Sequence, residues 1–232
     1  MNFNENVRAQ SIDRGVQSYM TSVFNMMASG LCLTGFIAFI VAHSIALANF
    51  IYGNFVMNLI VSFAPFVFVL IFSMKIGKMT TEAAATCFYV FSALMGVSLG
   101  FVFLVYTGTS IARVFFITAA TFLSMSIYGY TTKKDLTGMG SFLIMGVFGI
   151  IIASLVNIFM RSSMLNFFVS IIGVLLFTGL TAYDTQKAKY MYSTGLSGDT
   201  IKKVVIFSAL NLYMDFINMF LYLLRLFGDR RD

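Results

Sequence analysis

The sequence predicts an all-α polytopic membrane protein with seven transmembrane helices, on three observations. Hydrophobic residues make up 59% of the 232 and charged residues only 10%, where a soluble domain carries about 25% charged residues. The apolar residues fall into seven runs, each long enough to cross a hydrocarbon layer ~30 Å thick. The polar residues collect in short segments between those runs. In a bilayer, where no water can satisfy open backbone groups, such runs must be helices.

The runs lie at about 25–48, 53–74, 83–106, 111–130, 138–160, 164–184 and 204–226. Residues 1–22 are polar and mixed in charge, without the layout of a cleavable signal peptide. They are expected to form a cytoplasmic N-terminal segment ahead of an uncleaved anchor. The first run carries His43, the single histidine, near its far end; with no acidic neighbour in sequence, it reads as an interfacial packing residue. Gly53-Asn54 starts the second run, which contains the single proline, Pro65. Residues Lys75 to Thr81 form the next connection. Glu82 opens the third run, where a carboxylate meets the positive end of the helix dipole. Ser92, Gly96 and Gly100 recur every four positions in that run, a small-residue stripe suited to close helix packing. Thr107 to Ser110, Thr131 to Gly138 and Arg161 to Ser163 separate the remaining runs, so successive helices are antiparallel. Gly146, Gly149 and Ala153 offer a second small stripe in the fifth run. Tyr52, Tyr106, Tyr128 and Tyr130 fall at predicted interfaces and read as aromatic anchors. The chain shows no linker or internal repeat and reads as one seven-span domain, 1–232.

Charge sets the expected orientation. With the N-terminus inside, the inner segments hold Arg8, Arg14, Lys75, Lys78, Lys133, Lys134, Lys187, Lys189, Lys202 and Lys203. The outer ends hold Arg113, Arg161, Arg225, Arg230 and Arg231, so the bias is ten to five. The C-terminal arginines run against this rule: either they are tolerated outside, or one span fails to cross. The net charge of +6 is spread over loops, which argues against a nucleic-acid surface. Cys32 and Cys87 lie within apolar runs without metal-ligand spacing.

The last run, VVIFSALNLYMDFINMFLYLLRLFG (204–228), carries a carboxylate near its middle. Counted from Val204, Asp215 lies about 16 Å deep at ~1.5 Å per residue. An ionised group there costs about 2.5–3.5 kcal/mol on the mildest scales. At 100° per residue, Ser208, Asn211, Asp215, Asn218 and Tyr222 share one face. Such a stripe belongs against protein or water, either as a link to another helix or as a working site. Asp184 ends the sixth run, where it reads either as an interfacial ion pair with Lys187 or as a partner for Asp215. If the two carboxyls meet, they cannot both ionise freely and titrate as a unit that shares a proton. Two carboxylates with Asn211 and Asn218 supply too few oxygens for a tight Ca²⁺ site, which takes 6–8, so any binding there is weak and transient. Their depths differ, however. They meet only if the sixth helix continues past Lys187, if the helices tilt strongly, or if a crevice opens from the cytoplasm.

The motifs GLTAYDTQKAKY (179–190) and ALNLYMDFINMFLYLLRLFG (209–228) resemble the Bax inhibitor-1 (transmembrane BAX inhibitor motif) family. FSALMGVSLGFVFLVYTGTSIARVFF (91–116) and YGYTTKKDLTGMG (128–140) are similar to its central segments. The resemblance covers nearly the whole chain beyond about residue 20. It implies a last helix placed centrally and wrapped by the other six. It also implies a pH-sensitive Ca²⁺ leak with Asp184 and Asp215 as proton sensor, gate and weak metal site. Some members place a basic residue in the second span against the acidic pair, whereas residues 53–74 here contain no Lys or Arg. The short tails look like the bacterial branch, which implies the inner membrane; the eukaryotic branch would imply the endoplasmic reticulum. The expected partners are lipids, Ca²⁺ and a further membrane protein, with no cofactor and no enzyme activity. Two alternatives stand beside this reading. One is a non-conducting regulator of a membrane protease or other membrane complex. The other is an intramembrane aspartyl protease, for which Tyr183-Asp184 supplies one half-motif and Asp215 lacks the glycines of the other.

Overall fold

A computed structural model describes residues 3–192 and 198–231, with side chains from residue 14 onward. The side chain of Arg8, counted above as an inward charge, lies outside the described residues. The chain is an all-α polytopic membrane protein. Its α-helices are α1 (Phe3–His43), α2 (Ile45–Tyr52), α3 (Phe55–Lys75), α4 (Thr81–Val105), α5 (Gly108–Thr131), α6 (Thr137–Met160), α7 (Ser163–Met191) and α8 (Gly198–Phe227). All but α2 are long and apolar enough to cross a membrane.

Local chemistry explains where helices stop. The first apolar run, expected over 25–48, is divided at Ser44. That residue turns extended, and its side chain accepts from Leu47 N, capping α2. Upstream, α1 reaches back through the polar N-terminal segment to Phe3. Asn54 caps α3 by accepting from Val56 N and Met57 N at 3.0 and 3.3 Å. Thr107 caps α5 through Ser110 N. Arg161 ends α6 in the left-handed region at φ 51°, and Ser162 N is taken up by Asn157 Oδ1 at 3.0 Å.

The sixth span, expected to end at Asp184, continues to Met191. Hydropathy falls after Tyr183, but Gln186, Lys187, Ala188 and Lys189 are good helix formers, so the helix outlasts its apolar stretch by two turns. The last helix is the buried one. Of its most apolar window 61% is buried, against 11–39% for the other six spans.

The residues group into two compact units, 1–101 with 188–210 and 102–187 with 211–232. In the first, the small stripe of α4 packs on α1. A Cβ on Gly96 would lie 2.8 Å from Thr34 O, and one on Gly100 would lie 2.9 Å from Val41 Cγ1. Tyr52 donates to Val97 O and so cross-links helices, which replaces the anchor role expected for it. In the second unit, Gly146 meets Leu176 while Gly149 faces open space, so only half of the α6 stripe is a contact. Tyr106, also expected to be an interfacial anchor, is buried against Gly228. There the C-terminal tail returns to the α4–α5 turn. Thr107 N donates to Asp229 O, Arg231 N to Val105 O and Asp229 N to Ser110 Oγ, at 3.1, 2.9 and 2.9 Å.

Candidate functional site: a carboxyl pair between α7 and α8

The second unit holds both aspartates. Asp215 is 4% exposed, whereas Asp184 is half-buried. Their carboxyls lie within reach of one another, close enough to share a proton. The helix extension beyond Asp184 is what makes this possible: a residue expected at the membrane edge is an internal residue of α7, two turns from its end. Two carboxylates offer only acceptors, so a bond between them needs a proton on one of them. Oδ2 of Asp215 is fully buried and receives no hydrogen bond from any N–H or hydroxyl of the described residues. A buried acceptor in that condition calls for a proton, a water or a cation.

The backbone of α7 is fixed around Asp184 by residues that the sequence reading passed over. A Cβ on Gly129 of α5 would collide with Ala182 O, and one on Gly140 of α6 would fall 2.5 Å from the Tyr183 ring. Only glycine at these two positions lets the three helices approach so closely. Two residues past Asp184, buried Gln186 accepts from Leu136 N at 2.8 Å and donates to Lys134 O at 2.7 Å. Its carboxamide thus replaces the missing partners of the α5–α6 turn. The available signal was a glycine in each of two predicted helices and a Gln in a helix end, which is too common a pattern to read alone.

Lys187, one turn on, is near enough to act on Asp184 electrostatically, but among the described residues the two form no salt bridge, so the expected interfacial ion pair is not seen as a contact. The Lys187 ammonium sits 5.7 Å from the centroid of the Tyr183 ring. The stripe on α8 does not converge on the pair. Asn218 Nδ2 donates to Met214 O of its own helix at 2.8 Å. Tyr222 stacks on Phe177 at 5.9 Å over Gly173, and Arg225 lies 5.4 Å from its centroid. Ser208 bonds Tyr19 Oη at 3.0 Å, within the first unit. Asn211 is half-buried. The stripe therefore serves mainly to seat α8 in protein.

The family described as "Inhibitor of apoptosis-promoting Bax1" (Bax1-I) matches residues 16–232. The chain belongs to the Bax1-I family. Its relatives include RP147 of Rickettsia prowazekii, an uncharacterized protein 47% identical over 223 residues, 96% of this chain and 94% of the relative. Inner membrane protein YbhL of Escherichia coli strain K12 is 45% identical over 219 residues, 94% of each chain. An uncharacterized membrane protein of Streptococcus pyogenes serotype M1 is 31% identical over 234 residues, 97% of this chain and 98% of the relative. Both aspartates of this Bax1-I chain lie within the matched residues. Among the described residues, no group of three or more His, Cys, Asp or Glu side chains gathers to hold a metal ion.

Proposed function

We propose that this Bax1-I protein is a pH-sensitive cation leak of the bacterial inner membrane, with its N-terminus in the cytoplasm, Ca²⁺ as the ion and Asp184 and Asp215 as gate. One observation carries the reading: two carboxyls within reach of a shared proton, on two helices long and apolar enough to cross the bilayer. Removing that proton sets two negative charges in contact in a medium of low dielectric, which pushes α7 and α8 apart. A cation can take the place of the proton. With two carboxyls and few further oxygens its stay is short, as passage requires. The inner-membrane name of YbhL supports the location, and the excess of basic residues in alternate loops supports the orientation.

Purified protein in liposomes loaded with a Ca²⁺ dye tests this. Wild-type flux is expected to change between pH 5 and 8, and Asp215→Asn, which cannot share a proton in the same way, is expected to lose that dependence. Flux that is identical in Asp215→Asn at every pH would overturn the gate. Absence of flux at any pH, with a membrane protein co-purifying in stoichiometric amount, would replace the leak by a regulatory role.

A further inference from the structure

Away from the carboxyl pair, the first unit contains a cavity of about 840 Å³ between α1, α4 and the start of α8. One wall is a face of α1. Ser18, Ser22, Asn25 and Ser29 all line it, spaced by four, three and four residues and exposed. This polar face lies on the part of α1 that leads into its apolar residues. Further along, the exposed residues of α1 become Phe36, Phe39 and Ile40.

Some of the hydroxyls are satisfied within the protein. Ser22 Oγ donates to Ser18 O, and Ser29 Oγ meets Met26 O and Tyr89 Oη. Others are not. Among the described residues, nothing hydrogen-bonds the Asn25 carboxamide, the Tyr192 hydroxyl or the Lys202 ammonium, all of which line the cavity. A carboxamide without a partner is costly to leave against hydrocarbon. The lining also includes apolar residues, Met26, Ala85, Val205 and Ile206.

Two further observations select the occupant. Among the described residues, Lys202 is the one charged residue lining the cavity, which favours an anion over a cation. The cavity also sits where α1 enters its span and where α4 and α8 begin. Those are the starts of the first, third and seventh crossings, which share one membrane face, so the cavity lies at the level of the lipid phosphates. We infer that this cavity is a binding site for an anionic phospholipid of that leaflet. The phosphate meets Lys202, the glycerol and ester oxygens meet Asn25 and Tyr192, and the upper part of one acyl chain covers Met26, Val205 and Ile206. The volume is within the ~300–1,000 Å³ of ordinary ligand cavities. The site stands whether or not the carboxyl pair conducts ions.

Native mass spectrometry of the delipidated full chain tests it, with titration of phosphatidylglycerol, phosphatidylcholine of the same chains, and glycerophosphoglycerol as a headgroup without chains. Phosphatidylglycerol is expected to be retained about fivefold better than phosphatidylcholine, the effect of one lysine at a membrane surface. Lys202→Gln, at an exposed position, is expected to abolish that preference. Ser22→Trp, which fills the cavity from another exposed position, is expected to reduce retention of both lipids. Equal retention of the two lipids, or no response to either substitution, overturns the site. Binding of glycerophosphoglycerol as tight as that of the lipid reduces it to an anion site and overturns the lipid assignment.

Discussion

Asp215 Oδ2 is buried without a donor, and that single atom is what marks this carboxyl as a candidate for more than a structural role. A carboxyl that only joins helices is satisfied by hydroxyls and amides; this one has its companion carboxyl and a bare oxygen. The third aspartate near this end of the unit behaves differently. Asp135 is exposed and accepts from Thr137 N and Thr137 Oγ1, at 2.9 and 2.6 Å. Those bonds hold its carboxyl below the usual carboxylate range. A group depressed in this way contributes at every pH above its unfolded value of about 4 and loses its contribution as pH falls through its lower folded value. A response between pH 5 and 8 therefore cannot come from Asp135. Asp135→Asn is expected to leave the pH dependence of flux unchanged in the liposome assay, whereas Asp215→Asn removes it.

At the scale of elements, the decisive feature is the continuation of α7 to Met191. Glycine at 129 brings α5 onto its backbone at Ala182, glycine at 140 brings α6 onto the Tyr183 ring, and Gln186 ties its end to the α5–α6 turn. Gln186→Leu leaves the buried Leu136 N–H without a partner, at about 1–3 kcal/mol. A lower midpoint in detergent denaturation is expected, with Gln186→Glu, which keeps one acceptor, falling less far. A midpoint unchanged in Gln186→Leu would show that the tie carries no stability. Asp184 illustrates how far hydropathy reads. It marks where the apolar residues stop, because that is a property of side chains. It misses where the helix stops, because backbone bonding continues as long as propensity and tertiary contacts allow.

For the molecule as a whole, the tail clip settles a question of parity. Three crossings precede the α4–α5 turn and seven precede the C-terminus, both odd numbers. The hydrogen bonds from Thr107, Ser110 and Val105 to the tail put the two on the same face. A single failed crossing among α5 to α8 would put them on opposite faces. The C-terminal arginines that strain the charge rule are held locally: Arg225 over Tyr222, and Arg230 in an antiparallel bridge with Tyr106, while Arg113 of α5 pairs with Asp229 at 3.7 Å. Cysteines placed at Gly108 and Arg230, with Cys32 and Cys87 replaced by Ser, are expected to react with an impermeant maleimide from the same side. A cysteine at Lys133 is expected to react from the other. Labelling of 108 and 230 from opposite sides would remove the seven-crossing topology.

The sequence by itself determined the membrane class, the seven spans and the family, and it singled out the two aspartates as the candidate site. All of these follow from the cost of placing charge and open backbone in hydrocarbon, which acts on residues one at a time. It left open whether the aspartates touch, because contact depends on the axial register of α7 against α8. Register is decided by where glycines allow backbones to approach and by how far a helix outlasts its apolar stretch. The tertiary structure alone supplies that: Ala182 against Gly129, Tyr183 against Gly140, and Asp184 carried to the level of Asp215.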